Sequence, residues 1–172
     1  HFTAAEVMAQ AGEPKRLNQF FYFQFGAASE RNADYTQAEA LFEKALALDP
    51  DFHEAKNYLG YMWAERGSNL ERARDLIEQA LKAEPENDAY LDSMGWVLFR
   101  LERPKEALIF LLKAAELAEK PDATVFDHVG DVYSALGETE KANEAWRKSL
   151  SITRFERKPQ AALHPAPGVD AF

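Results

Sequence analysis

The stretch DHVGD, residues 127–131, carries the side chains of this sequence that are best suited to chemistry. Asp127 and Asp131 are four residues apart, which places two carboxylates on one face of a helix beside the imidazole of His128. Carboxylate and imidazole groups are ligands for ions such as zinc. Three weak ligands on one helix, without a second cluster, more often form a solvated or partner-facing polar edge. We therefore expect no metal site here.

No other stretch offers a catalytic constellation. The sequence has no glycine-rich phosphate loop, no G-x-S-x-G and no H-E-x-x-H. It also has no cysteine, which excludes disulfides, thiolate metal sites and cysteine nucleophiles. We expect a protein without catalytic residues and without a cofactor.

Composition restricts the partners as well. The 172 residues are 47% hydrophobic and 12% aromatic, which is enough to bury a core. The formal net charge of −9 argues against nucleic acid and anionic membrane surfaces, because both attract clustered Lys and Arg. No apolar run approaches the roughly 18 to 20 residues that span a bilayer, so we expect no direct membrane insertion.

The elements that position these side chains are revealed by a recurring glycine. Gly26, Gly60, Gly95 and Gly130 are separated by 34, 35 and 35 residues, and the residues around each have helical periodicity. A period of this length indicates a repeat array. A glycine inside a helix costs roughly 1 kcal/mol relative to alanine. We therefore expect another backbone to approach closely at each of the four positions.

A second helix follows each glycine-bearing helix. It is marked by a small and a large residue four positions apart, and turn signals such as Gly67-Ser68-Asn69 separate the two helices. The pairs are Ala38 with Phe42, Ala73 with Ile77, Ala107 with Leu111, and Ala142 with Trp146. Each repeat is thus predicted to be a helical hairpin, in which the glycine faces the alanine of the second helix.

This pattern resembles the tetratricopeptide repeat, W-x₂-L-G-x₂-Y, then A-x₃-F, then P, and the bacterial type in particular. The departures are Ser29 for an aromatic residue, Lys56 for a large residue, Glu119 for a proline, and one extra residue in each of two repeats. We place the first extra residue in the turn Gly67–Leu70 and the second near Glu119–Asp122. The resemblance implies an all-α, right-handed α-solenoid.

The domain organisation follows from the period. We expect a short N-terminal helix and linker over 1–18, with Thr3 and Glu6 as its capping box, and an array over 19–156. The repeats are 19–52, 53–87, 88–122 and 123–156, followed by a proline-containing tail over 157–172. From residue 153 onwards the helical period is lost, and we expect the tail to rest on the repeat body or on a neighbouring molecule.

The resemblance also implies that the first helices line a concave groove that holds a partner peptide or helix. At the groove positions carboxylates outnumber cations, so a clamp for a terminal carboxylate is rejected and a partner with basic residues is favoured. Aromatic residues there either anchor the partner or pack between neighbouring first helices. The residues that we expect to bind the partner are Phe23, Asn57, Tyr61, Asp92, Trp96, Phe99, Arg100, Asp127, His128 and Asp131.

The predicted function is a non-catalytic scaffold for protein–protein interaction. The alternative is a structural module that self-associates through its C-terminal repeat or tail. Because the chain begins with His1 rather than methionine, we interpret it as a fragment or a processed product. Its localisation, in the cytoplasm or in a bacterial cell envelope, is left open by the sequence.

Overall fold

The computed structural model describes residues 17–156, and in this part of the chain the regular structure consists of eight α-helices. They are α1 (Gln19–Arg31), α2 (Tyr35–Leu48), α3 (His53–Arg66), α4 (Leu70–Ala83), α5 (Asp88–Arg100), α6 (Pro104–Leu117), α7 (Ala123–Ala135) and α8 (Thr139–Glu156). The predicted N-terminal helix and the tail over 157–172 lie outside the described residues.

The helices are arranged as a solenoid of hairpins. Each odd-numbered helix packs along the helix that follows it, and each of α2, α4 and α6 also contacts the first helix of the next hairpin. The first helices contact one another directly, α3 with α5 and α5 with α7. Each hairpin falls inside one of the four repeats proposed from the sequence. No helix of the described stretch 17–156 is long and apolar enough to cross a membrane.

Side-chain caps define where several helices begin. Asn18, Asp34, Asn87 and Asp122 each accept a hydrogen bond from a backbone N–H in the first turn of the following helix, at 2.6 to 3.2 Å. Such caps satisfy amide groups that have no partner within the helix. Helix α6 begins instead with Pro104, whose missing N–H costs nothing at that position.

The recurring glycine lies where the two helices of a hairpin meet. A Cβ atom added to Gly60 would lie 2.9 Å from the carbonyl oxygen of Ala73 and 2.7 Å from Cγ1 of Ile77. At Gly26 the space is taken by the ring of Phe42, and at Gly130 by the indole of Trp146. The predicted approach of a second backbone is therefore confirmed at Gly60 and at Gly95, where the carbonyl oxygen of Ala107 would lie 3.1 Å from the added Cβ atom. At Gly26 and Gly130 the three nearest atoms all belong to the ring of the large residue, so there the side chain, and not the backbone, takes the space.

The turns inside the hairpins share a residue with left-handed backbone, at Ala33, Gly67, Glu102 and Gly137. In the second repeat the extra residue lies in the turn after Gly67, as predicted, where Asn69 is also left-handed with a φ of 50°. Five residues, 118–122, join α6 to α7, whereas four, 49–52, join α2 to α3. The second insertion is therefore also where the sequence places it.

The sequence predicts that the helical period is lost from residue 153 onwards, and this prediction is wrong, because α8 continues to Glu156. The hydroxyl of Thr153 donates a hydrogen bond to the carbonyl oxygen of Ser149 at 3.2 Å, one turn earlier, so this polar residue fits within the helix. Residues 153–156 contain no glycine or proline, and the first proline of the tail is Pro159.

Candidate functional site

A groove of about 510 Å³ runs across the first helices of the array. Helix α3 contributes Asn57, Tyr61 and Glu65 to its lining, and α5 contributes Asp88 and Asp92. Residues from α1 and α7 complete the two ends. The first helices therefore form a shared surface, and its size is that of a site for an extended side chain or a short segment.

The groove is strongly acidic. Its carboxylates are Glu30, Glu65, Asp88, Asp92 and Asp122. Among the described residues that line it, Arg66 is the one cation, and its guanidinium lies over the ring of Tyr35 at 4.0 Å from the centroid. The negative charge of the groove is thus largely uncompensated by the chain itself, and this favours a positively charged ligand.

Asn57 is the most unusual polar residue in the groove. It is only 7% exposed, and its Oδ1 atom has no hydrogen-bond partner within residues 17–156. A buried acceptor without a donor costs roughly 1–3 kcal/mol. Asp92 and Asp127 follow Asn57 at intervals of 35 residues, so the same position carries an oxygen acceptor in three successive repeats.

Asp92 and His128 join the third repeat to the fourth. Asp92 Oδ1 lies 2.9 Å from His128 Nδ1, and the two side chains are 11% and 7% exposed. The ring of Trp96 stacks on the imidazole, with centroids 4.1 Å apart and planes inclined by 14°. Three of the predicted partner-binding residues therefore form one cluster, in which Asp92 and His128 are buried and Trp96 is partly buried.

Tyr61 lies in the middle of the groove and is half-buried. Burial raises the pKa of its phenol, and the nearby carboxylates of Glu65 and Asp92 raise it further. Tyr61 thus stays a neutral hydrogen-bond donor with an aromatic face, well suited to contact a ligand rather than to act as a base.

The predicted aromatic residues divide between the two roles that the sequence left open. Phe23 packs against Phe52 and Tyr58, each with ring centroids 5.1 Å apart, and so belongs to the contact between the first two repeats. Trp96 and Phe99 are partly buried and pack against each other at 5.3 Å. Tyr61 is therefore the predicted aromatic residue that lines the 510 Å³ groove.

The predicted cation Arg100 also has an internal contact. It donates a hydrogen bond from Nη1 to the backbone carbonyl of Glu65 at 2.8 Å. That carbonyl lies in the last turn of α3, where helix carbonyls lack partners and a positive charge is favourable. Arg100 therefore links the second and third repeats along the edge of the groove.

The residues of DHVGD are separated by the fold. Asp127 is exposed, His128 is buried against Asp92, and Asp131 accepts a hydrogen bond from Nε1 of Trp146 at 3.2 Å. Burial raises the pKa of the Asp131 carboxyl, and the indole N–H opposes that shift. Within the described part of the chain, no group of three or more His, Asp and Glu side chains is arranged to hold a metal ion.

Two acidic residues of the groove were missed in the sequence analysis. Asp88 stands in the first turn of α5, and Asp122 caps α7. Both precede the positions that the repeat pattern assigns to the groove. The sequence contained a signal for both positions, because Asn87 and Asp122 are typical N-cap residues and so mark where α5 and α7 begin. Asp88 directly follows the first of these caps, and Asp122 is the second.

The sequence and the fold are similar to known proteins. The model of one family, described as tetratricopeptide repeat, matches residues 25–71 and 66–124. A TPR repeat-containing protein of Pseudomonas aeruginosa, PA4667, is 37% identical over 118 residues, which cover 69% of this chain and 19% of that protein. Human protein arginine N-methyltransferase 9 is 35% identical over 91 residues, or 49% of this chain and 11% of that protein. The chain thus spans a fifth or less of these relatives.

Among solved structures, the fold is similar to those of MamA. A MamA chain from Desulfovibrio magneticus RS-1 superimposes with a TM-score of 0.69 at 18% identity, covering 91% of this chain and 96% of that one. A MamA RS-1 double mutant gives a TM-score of 0.71, also at 18% identity, with 92% and 86% covered. At this identity the likeness concerns the fold alone.

Proposed function

Because this chain belongs to the tetratricopeptide repeat family, we propose that it is a non-catalytic scaffold that holds a segment of a partner protein in the groove lined by its first helices. The observation that carries the proposal is the groove itself, which the first helices of neighbouring repeats line together, with the half-buried Tyr61 in its middle and five carboxylates around it. A concave surface that combines an aromatic side chain with charged groups is suited to hold a segment of another protein.

The charge of the groove defines the partner further. Five carboxylates line it, and Arg66 is held against Tyr35. A segment with Lys or Arg would be attracted to this surface and would bind faster at low ionic strength. A terminal carboxylate would be repelled. The proposed partner therefore presents a basic peptide or the basic face of a helix.

Charge reversal at the edge of the groove tests this function. Glu65 and Asp127 are exposed, so replacing both with lysine changes the charge with little effect on the core. We expect the variant to bind its partner from native cell extract about thirtyfold less tightly than the parent, because the two reversals together remove on the order of 2 kcal/mol of attraction. Proteins recovered by affinity capture are identified and quantified by mass spectrometry.

A matched control makes the same change of net charge elsewhere. Glu116 and Glu144 are exposed on the second helices α6 and α8, and a Glu116→Lys, Glu144→Lys variant should capture the partner as the parent does. Circular dichroism verifies that all three proteins are folded. If the groove variant recovers the partner as well as the control does, the groove is not the binding site.

A second candidate function, self-association, is favoured by the end of the array. Leu46, Leu81 and Ala115 stand at equivalent positions of the first three repeats, and each packs into a cluster with the next repeat. Their counterpart in the fourth repeat is Leu150, which is 66% exposed, and nearby Phe155 is 79% exposed. A second copy of the chain, docked by the same surface, would cover both side chains.

Light scattering over a range of concentrations tests self-association. If this surface forms a dimer, the parent should have twice the monomer mass, and Leu150→Asp should be monomeric at the same concentration. Ile109 is 68% exposed on α6, so Ile109→Asp serves as the control and should stay dimeric. A parent that is monomeric at every concentration, or a dimer that Leu150→Asp leaves intact, would refute this candidate.

A further inference from the structure

We propose that the tail over 157–172 folds back in the same chain and covers the exposed end of the array. The surface that it would cover is called here the end surface. Its side chains surround one depression of about 630 Å³, and they are Arg147, Leu150, Ser151, Arg154 and Phe155. The tail itself lies outside the described residues. No described residue lines both the end surface and the groove, so the end surface is a second, separate contact region.

The end surface lacks the cover that equivalent surfaces have in the earlier repeats. In the first three repeats the counterpart of Leu150 packs into a cluster with the next repeat, whereas no hairpin follows α8 in the described chain. Phe155 is the most exposed large apolar side chain of the described residues. A terminal repeat needs an outer face that is polar or covered. Two exposed apolar side chains on this face therefore indicate that another segment covers it.

Two arginines of the end surface have no partner for their charge. Arg147 and Arg154 are exposed and seven residues apart, so they lie on one side of α8. Within the described residues neither guanidinium forms an ion pair, whereas Arg72 and Arg103 each pair with a glutamate. The segment that covers this surface should therefore combine apolar side chains with a carboxylate.

The composition of the tail meets this requirement. Beyond Pro159, Asp170 is its one formally charged side chain. The largest apolar side chains in the same stretch are Leu163, Val169 and Phe172. A single carboxylate among apolar residues complements a surface on which unpaired arginines flank exposed apolar side chains.

The tail also starts beside the end surface and is long enough to cross it. Proline cannot continue a helix and disfavours helical backbone in the residue before it, so we expect the chain to leave the axis of α8 near Pro159. Leu150 precedes Glu156, the last residue of α8, by six positions, which is about 9 Å along the helix. Residues 159–172 reach up to roughly 46 Å when extended. The prolines of the tail restrict the free chain and so lower the entropic cost of docking.

A second copy of the chain is the alternative occupant. A symmetric dimer through the end surface would bring Arg147 and Arg154 close to the same arginines of the other copy, which is electrostatically unfavourable. The tail avoids this repulsion, and its attachment to α8 gives it a high effective concentration at the surface. The tail is therefore favoured, and self-association through the end surface would require its displacement.

Paramagnetic NMR on the full chain tests the proposal. Because the sequence has no cysteine, Ala171→Cys provides a single attachment site for a nitroxide spin label. We expect the methyl signals of Leu150 and the amide signal of Phe155 to lose most of their intensity, since a nitroxide broadens the signals of nearby nuclei. Leu48 is an exposed apolar residue of the first repeat, and its methyl signals should keep their intensity. No loss at Leu150, or an equal loss at Leu48, would overturn the proposal.

A mixing experiment distinguishes the tail of the same chain from that of a second copy. Isotope-labelled chain without the nitroxide is mixed with unlabelled chain that carries it. The proposal predicts that the Leu150 signals keep their intensity in this mixture. If they broaden as strongly as in the singly labelled chain, the tail docks on a second copy, and the proposed contact within one chain is wrong.

Two charge variants of the spin-labelled chain assign the contact to the end surface. Arg147→Glu with Arg154→Glu keeps the tail attached but repels its carboxylate, so the Leu150 signals should regain their intensity. The matched control reverses two exposed lysines of α6, Lys105→Glu with Lys113→Glu, and should leave the broadening as in the parent. Circular dichroism verifies that both variants are folded. Broadening that survives the arginine reversal would refute the arginine contact and with it the proposal.

Discussion

Replacing Gly95 with alanine is expected to destabilise the array by about 2–3 kcal/mol, although the same change at an open helix position stabilises by about 1 kcal/mol. A Cβ atom at residue 95 would lie 2.5 Å from Cγ of Leu111 and 3.1 Å from the carbonyl oxygen of Ala107. Leu111 is fully buried, so it cannot swing into solvent to relieve the clash. The two helices of the third repeat must therefore move apart.

Chemical denaturation followed by circular dichroism measures this effect. Ala40→Gly, at an exposed position inside α2, is the reverse control and should cost about 1 kcal/mol through helix propensity alone. In the double variant Gly95→Ala, Leu111→Ala, the added methyl group enters space that the leucine has left. The double variant should therefore lose less stability than the sum of the losses measured for the two single variants. A Gly95→Ala variant as stable as the parent would contradict the packing described for the hairpins.

Replacing Asp92 with alanine is expected to cost about 2–4 kcal/mol, because it leaves the buried ring nitrogen of His128 without its partner and opens space beside it. Asp92→Asn keeps an acceptor oxygen of nearly the same shape and should cost about 1 kcal/mol or less. The difference between these variants reports the hydrogen bond between the third and fourth repeats rather than the volume of the side chain.

A double-mutant cycle with His128→Ala measures the pair directly. We expect a coupling of about 1–3 kcal/mol between residues 92 and 128 in the free energy of unfolding. Because neighbouring repeats stabilise one another through their interfaces, the loss should also lower the cooperativity of unfolding, seen as a smaller denaturant slope. Additive effects within 0.5 kcal/mol would show that the contact contributes little.

The hairpins could be predicted because their contacts are close in sequence and recur. Gly60 and Ile77 are 17 residues apart, and Gly95 and Leu111 are 16 apart, so each repeat displays the same pairing within its own 34 or 35 residues. The family of the chain follows from that pattern. The end of α8 was harder to predict, since polar residues such as Thr153 interrupt the apolar period without breaking the helix.

The details of the groove depend on contacts between repeats, for which the sequence has no local signal. The packing of Phe23 depends on Phe52, 29 residues later at the end of its own repeat, and on Tyr58 in the next repeat. The pairing of Asp92 with His128 joins residues 36 positions apart, at groove positions that looked solvent-facing in each repeat taken alone. The unpaired oxygen of Asn57 is likewise a property of its surroundings. The acidity of the groove could be predicted from the residue types at its positions, whereas the burial of Asn57, Asp92 and His128 could not.

The central claim is that the first helices, and not the outer surface, contact the partner. The most direct measurement is photocrosslinking with p-benzoylphenylalanine in place of Tyr58, which lines the groove and is 45% exposed, or in place of Ile109 on α6. Cells that express each variant are irradiated, and the adducts are identified by mass spectrometry. The account predicts a protein adduct at position 58, with the crosslinked segment rich in arginine or lysine, and none of that protein at position 109. The same partner crosslinked from position 109 and absent at position 58 would contradict it.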